Sequence, residues 1–182
     1  MANSPIINLT PIGAGLFQAL NSVTGLKVNP QVIRVTPNTP AMVGAGCSIM
    51  VCDETASYTK PVLQLLKASG SCEIISEEWM NACSATSGSG PAYIYLVIEA
   101  LADGAVRMGV PRAAAYRLAA QTVIGAGQMV LKTGKHPGQL KDEVCSRGGT
   151  TIAGVHALEN GGVRKSFIDA VVAATKRAEE MQ

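Results

Sequence analysis

The sequence predicts an α/β segment followed by an all-helical region. Short β-branched runs such as Val32-Ile33-Arg34-Val35 occur only before residue 76, where they alternate with turns and one helix. From Glu77 onward, apolar runs with helical spacing dominate. Hydrophobic residues make up 47% of the 182 residues but aromatic residues only 4%. We therefore expect a core of small aliphatic side chains and closely packed helices.

The α/β segment, residues 1–76, has too few elements for a complete sheet domain. The elements expected are strands at 32–35, 47–52 and 72–75 and a helix at 55–69. That helix is expected to end at Gly70. Gly13-Ala14-Gly15 before an apolar helical pattern leaves a dinucleotide loop open as one interpretation, although the third glycine is missing. Strand, strand, helix, strand predicts the last part of a larger α/β sheet.

The helical region, residues 77–182, is predicted to hold three long helices and one short one. The long helices are expected at 92–108, 112–132 and 164–180, and the short one begins near residue 150. Glu99 and Asp103 lie inside the first of them and argue against a membrane span. Glycines inside the second long helix each lower helix stability by about 1 kcal/mol relative to alanine. We expect them to permit close contact with another helix.

Charge and cysteine content exclude several classes of function. The net charge is +2 with no long basic run, which argues against a nucleic-acid or membrane-surface binder. The five cysteines are odd in number and form no CxxC pair, and there are two histidines, so we expect neither a metal site nor a disulfide framework. Reduced thiols and the lack of a signal-peptide pattern predict a cytoplasmic protein, with a mitochondrial location as the alternative.

A Gly-Gly-Thr-Thr turn precedes the short helix. Either Thr150 or Thr151 is expected to be the N-cap, because a hydroxyl there accepts a bond from a first-turn N–H group. Gly148 and Gly149 would let the backbone approach a ligand. Helix-end N–H groups and the helix dipole together predict a small anion site. The alternative is an ordinary capped helix after a turn.

Six strings, in order and with almost no gaps in spacing, resemble pyrroline-5-carboxylate reductase. They are PNTP at 37–40, SGSGPAY at 87–93, EALADG at 99–104, HPGQLKD at 136–142, GGTTI at 148–152 and LENGG at 158–162. The resemblance implies a Rossmann-like NAD(P)-binding domain, of which residues 1–76 would be a remnant, and an all-α dimerisation domain at 77–182. It also implies a homodimer or higher homo-oligomer that reduces 1-pyrroline-5-carboxylate to L-proline with NADPH or NADH, the last step of proline biosynthesis.

The resemblance assigns four residues of the glycine-threonine turn to the substrate. Ser146, Gly149, Thr150 and Thr151 would bind it, and the Thr151 hydroxyl would be catalytic, orienting the imine and relaying a proton. Glu77 matches a position near the substrate in this family, and the alternative is a solvated surface acid.

Two residues are assigned to the cofactor in the same way. Asn38 lies in the loop that approaches the nicotinamide, and the alternative is a turn asparagine. Glu143 matches a position that faces the cofactor in some relatives, although an acid there would repel a phosphate.

The chain departs from the family in three respects. Asn38 comes too early, so most of the nucleotide-binding half is expected to be absent. Arg147 stands where the family has proline, and Thr36 stands where it usually has methionine. The alternative function is therefore a non-catalytic truncated chain that acts as a dimerisation or interaction module.

Overall fold

The structure, a computed structural model, describes residues 6–8 and 32–181. The described residues form two compact units, one running up to Pro91 and resuming at Ala170, the other comprising Ala92–Asp169. The boundary predicted between residues 76 and 77 stays a prediction. Gly13-Ala14-Gly15 and the helical pattern after it lie outside the described residues.

The first unit is built on a sheet with strand order β1-β2-β3-β4. The strands are β1 (Ile6–Asn8), β2 (Val32–Thr36), β3 (Gly46–Val51) and β4 (Gly70–Ile74). β2 is parallel to β1 and antiparallel to β3, and β3 is parallel to β4. Helix α1 (Thr59–Lys67) connects the last two strands. The three predicted strands are confirmed, whereas β1 was missed because prolines interrupt the apolar pattern around it.

One face of the sheet carries the core of this unit. Its buried members are Ile33, Val35, Met50, Val62 and Cys72. Alternate residues of a strand point to opposite faces, so β2 directs Ile33 and Val35 into this core and Arg34 to the other face. Burial raises the pKa of the Cys72 thiol, which favours its neutral form.

The strands β3 and β4 begin with two glycines that face each other in the register. A Cβ added to Gly70 would stand 2.1 Å from the carbonyl oxygen of Gly46, and the φ of Gly70 is +146°. Only glycine fits this close approach of two backbones. The prediction that Gly70 ends the helix was wrong, because α1 ends at Lys67 and Gly70 opens β4.

Several short elements precede the long helices. They are 3₁₀ helices at Thr39–Val43 and Glu77–Trp79, helix α2 (Met80–Cys83) and a π-helical turn at Ser84–Gly88. Met80 is 1% exposed, and its sulfur accepts a hydrogen bond from the Thr36 hydroxyl at 3.6 Å. The chain after β4 is thereby anchored to the sheet.

The remaining helices are α3 (Gly90–Arg107), α4 (Arg112–Thr133), α5 (Pro137–Val144), α6 (Thr150–Asn160) and α7 (Val163–Glu180). The core of the second unit is a cluster of alanines, Ala102, Ala115 and Ala119. This confirms the prediction that small side chains form the helical core. A Cβ added to Gly125 or Gly127 would meet nothing within 4 Å, so the close contact expected at these glycines stays a prediction.

Helix α4 ends as predicted at Gly134, which is left-handed with φ 64°. Helix α5 was missed as an element. Pro137 lies in its first turn, and the Nδ1 atom of His136 accepts the Gly138 N–H at 3.0 Å as an N-cap.

In the described part of the chain, no helix is long and apolar enough to cross a membrane. Among the same residues, no group of three or more histidine, cysteine, aspartate or glutamate side chains could hold a metal ion. All five cysteines are free thiols.

Candidate functional site

The segment between α5 and α6 is a tight turn. The Gly149 N–H donates to the Ser146 carbonyl at 3.1 Å, and Gly148 between them has φ +65°. No described non-glycine residue has a positive φ. The bond and the single positive φ define a type II turn with Arg147 at its second position. That position favours proline, the residue that the resemblance expects where this chain has Arg147.

Helix α6 begins without a side-chain cap. Its N-cap is Gly149, in extended conformation, and no side chain makes a capping hydrogen bond. Thr150 and Thr151 are its first two residues, so the prediction that one of them is the N-cap was wrong. The type II turn fixes where the helix starts and brings the Ser146 hydroxyl within 2.2 Å of where a Cβ on Gly149 would stand.

This open helix end lies where the sequence predicts an anion site. The first-turn N–H groups have no intrahelical acceptor, and the helix dipole gives them partial positive charge. Ser146 and Gly149 are the first and last residues of the turn, and Thr150 and Thr151 are the first two residues of α6. Their roles toward a substrate stay predictions.

A pocket of about 550 Å³ extends from this turn along one side of α6. Its lining residues are Lys141, Gly148, Gly149, Ile152, Ala153, Val155, His156 and Glu159. The Lys141 ammonium donates to the Asp142 carboxylate at 2.6 Å, and this partner raises the pKa of Lys141. The pocket that starts at the open helix end is thus lined by a cation, Lys141, and an acid, Glu159.

Glu143, assigned to the cofactor, is held by two neighbours. The Lys135 ammonium donates to both carboxylate oxygens, at 2.8 and 3.1 Å, and the Gln139 amide donates to one at 3.1 Å. The bond from Lys135 holds the pKa of this carboxyl below its ordinary value. In the structure Glu143 links the end of α4 to α5, and its contact with a cofactor stays a prediction.

Asn38, also assigned to the cofactor, clamps two parts of the first unit together. Its Oδ1 atom accepts the Cys47 N–H at 2.9 Å, and its Nδ2 atom donates to the Ser87 carbonyl at 3.0 Å. The contact of Asn38 with a cofactor stays a prediction. In residues 6–8 and 32–181, no glycine-rich loop runs from a strand into a helix.

Glu77 lies in the first 3₁₀ turn after the sheet and pairs with Arg34 of β2. Sequence reasoning missed Arg34, since the two residues are 43 positions apart and no local pattern links them. The role of Glu77 toward a substrate stays a prediction.

The helical part of the chain matches a known class of domain. The sequence model for the family described as pyrroline-5-carboxylate reductase dimerisation matches residues 77–181. The class is therefore that of a dimerisation domain from an oxidoreductase family.

Individual relatives extend this match beyond the helices. Pyrroline-5-carboxylate reductase of Glycine max is 52% identical over 84% of this chain, and that of Arabidopsis thaliana is 50% identical over 95%. The chain spans 57% and 63% of these two relatives. The crystal structure of Plasmodium falciparum pyrroline carboxylate reductase with NADP bound has a TM-score of 0.84 at 32% identity, covering 98% of this chain and 71% of that one.

A second solved structure agrees. The pyrroline-5-carboxylate reductase of Coxiella burnetii has a TM-score of 0.79 at 38% identity, covering 86% of this chain and 59% of that one. The chain belongs to the pyrroline-5-carboxylate reductase family. This confirms the resemblance and the predicted fold class, a Rossmann-like remnant followed by an all-α dimerisation domain.

Proposed function

We propose that the protein is a pyrroline-5-carboxylate reductase that converts 1-pyrroline-5-carboxylate to L-proline with NADPH or NADH. The observation that carries this proposal is the uncapped start of α6, where the N-cap is a glycine and no side chain covers the first-turn N–H groups. Such a helix end suits a small carboxylate. The names of the relatives supply the substrate class.

In this mechanism the turn before α6 binds and orients the substrate. Backbone N–H groups of Thr150 and Thr151 donate to the substrate carboxylate, with the helix dipole adding attraction. The Thr151 hydroxyl donates to or accepts from the ring nitrogen, which orients the imine and offers a path for its proton. Fixing the ring in this way lowers the entropic part of the barrier.

The dinucleotide, when bound, supplies a hydride to the imine carbon. Asn38 and Glu143 are the two proposed contacts with the dinucleotide. We propose a homodimer as the working form, in the cytoplasm. In support, the helices expose large apolar side chains, among them Leu96 at 66%, Leu118 at 62% and Leu131 at 86%.

The direct test gives the purified chain 1-pyrroline-5-carboxylate with NADPH or NADH and follows dinucleotide oxidation, while light scattering reports the oligomer. Turnover that depends on both reactants is expected. A stable dimer that neither turns over nor binds L-proline would contradict the proposal and favour a non-catalytic interaction module.

Thr151→Val tests the assignment of the catalytic hydroxyl. The variant keeps the shape of the side chain and removes the oxygen, so kcat/KM should fall about tenfold or more. The far-ultraviolet circular dichroism should be unchanged. Thr122→Val is the matched control, because the Thr122 hydroxyl only donates to the Leu118 carbonyl within α4. Equal kinetics in wild type and Thr151→Val would remove Thr151 from the mechanism.

A further inference from the structure

The chain between β4 and α3 crosses one face of the sheet as a strap of short helical turns. The strap comprises residues 77–88, with the 3₁₀ helix Glu77–Trp79, helix α2 and the π-helical turn Ser84–Gly88. Its buried residues are Met80 and Ala85, which are 1% and 3% exposed. Since the strap buries little apolar surface and its α-helical part is about one turn long, it has the features of a segment that opens locally.

Side-chain bonds tie the strap to β2 and to the loop that follows it. The tied pairs are Arg34 with Glu77, Thr36 with Met80 and Asn38 with Ser87. Residues two apart in a strand point to the same face, so Arg34 and Thr36 lie on the face of β2 opposite Ile33 and Val35. The strap therefore docks on the face of the sheet that does not carry the core.

This second face carries apolar contacts of its own. Ile49 of β3 is opposite Thr36 in the register, and paired residues of neighbouring strands point to the same side of a sheet. Ile49 is 3% exposed and does not belong to the core cluster that contains Met50 and Val62. Neither do the buried residues of the strap. The core on the first face is therefore built without the strap.

We propose that the strap is a conformational device that opens as one unit while the sheet and its core stay folded. Opening breaks the side-chain ties and exposes Met80 and Ala85, whereas α1 stays packed on the other face. Segments with few buried contacts open at a lower free energy than the whole fold. The opening also frees Asn38 from Ser87, so it loosens the loop after β2.

A strap that is an inseparable part of the sheet predicts a different response to substitutions. If the strap opens alone, a substitution in the core cluster lowers only the free energy of unfolding of the sheet, because the core contacts persist in the open state. If the two unfold together, the same substitution lowers the protection of both. A substitution in the strap itself weakens both in either case, because its contacts are lost in the open and in the unfolded state.

The experiment follows hydrogen exchange of backbone amides in the whole chain at a series of urea concentrations below the unfolding transition. The Ser84 N–H donates to the Met80 carbonyl and the Ser89 N–H donates to the Ser84 carbonyl at 3.0 Å, so both amides report opening of the strap. They should exchange about tenfold or more faster than the amides in the ladder between β2 and β3. Their exchange should also depend less on urea, because opening the strap exposes less surface than unfolding the sheet.

Two matched substitutions separate the alternatives. Met50→Ala removes a side chain from the core cluster, where Met50 is 0% exposed. It should speed exchange in the ladder between β2 and β3 by about tenfold or more without changing exchange in the strap. Met80→Ala makes the same change within the strap and should speed exchange in both by a similar factor. If Met50→Ala does not fold, Ile33→Val is the milder core substitution, with an expected increase in ladder exchange of about threefold or more.

Strap amides that exchange faster than the ladder and are insensitive to the core substitution support the inference. Equal exchange in strap and ladder, or faster strap exchange in Met50→Ala or Ile33→Val, would show that the two unfold together and overturns it. Strap amides that exchange as fast as in an unfolded peptide overturn the docked strap itself. None of these outcomes bears on turnover, which tests the proposed function separately.

Discussion

Two loops assigned to small-molecule binding differ in how their polar groups are used. In the loop after β2, the Asn38 amide already bonds to Cys47 and Ser87, so the loop is closed by its own hydrogen bonds. In the turn before α6, Gly149 provides no cap, and the helix end remains open. A polar turn with satisfied groups stabilises the fold, whereas one with uncovered donors can bind an anion. Similar turn residues in a sequence can therefore serve opposite purposes.

The largest expected effect is a loss of stability when the Asn38 side chain, which closes the loop after β2, is removed. Asn38→Ala would leave the Cys47 N–H and the Ser87 carbonyl without their partner, so the free energy of unfolding should fall by about 2–4 kcal/mol. Urea denaturation measures this free energy of unfolding. Met42→Ala is the control in the same loop, since Met42 is 88% exposed, and it should change stability by less than about 0.5 kcal/mol. Equal stability of the Asn38 variant and wild type would show that the clamp is unimportant.

The next effect comes from disturbing the open turn. In Gly149→Ala, the new Cβ would stand 2.2 Å from the Ser146 hydroxyl oxygen, so either this hydroxyl must rotate away or the turn must shift. L-proline affinity should fall about tenfold, or about 1.4 kcal/mol, with little loss of stability because the turn is at the surface. Isothermal titration calorimetry measures the affinity for L-proline.

A matched variant and a rescue sharpen this prediction. Gly154→Ala adds the same methyl group within α6, where nothing lies within 4 Å, and should leave affinity unchanged. Removing the hydroxyl in Ser146→Ala/Gly149→Ala should recover part of the loss. Full affinity in Gly149→Ala would contradict the requirement for a close-fitting turn.

A smaller effect is expected from restoring the family's proline. Arg147→Pro places proline at the second position of the type II turn, where its fixed φ is already suitable. The unfolded chain loses freedom, so stability should rise by about 0.4–1 kcal/mol in urea denaturation. Tighter binding of L-proline would show that turn rigidity limits affinity. Weaker binding would show that the arginine charge attracts the carboxylate. A loss of stability would contradict the assigned turn.

The smallest expected effect is on the pH dependence of stability, and it concerns the Glu143 carboxylate with its partners Lys135 and Gln139. The pKa of Glu143 is lower in the folded chain than its ordinary value. Its contribution to stability is thus complete above the ordinary pKa of about 4.3 and is lost as the pH falls through the lower, folded value. Glu143→Gln should flatten the fall of Tm in this acidic range. An identical slope in wild type and variant would mean that the bond from Lys135 contributes nothing.

Strands and helices that follow from local sequence patterns were predicted, whereas hydrogen bonds between residues far apart in the sequence were missed. The β-branched run at 32–35 and the alanine-rich helices were predicted because spacing and side-chain size report them directly. The bond between Asn38 and Ser87 joins residues 49 positions apart, and only the folded chain brings them together. The N-cap of α6 was misplaced by one or two residues because a threonine after Gly-Gly is an equally good local candidate.

The hydrogen bond by which His136 caps α5 also selects the tautomer of its imidazole ring. A ring nitrogen that accepts a hydrogen bond carries no proton, so neutral His136, accepting through Nδ1, has its proton on Nε2. One of the two tautomers is thereby selected by a backbone amide of the HPGQLKD motif. The outer nitrogen of that imidazole is left as a donor, and nitrogen-15 chemical shifts of the ring would report the asymmetry.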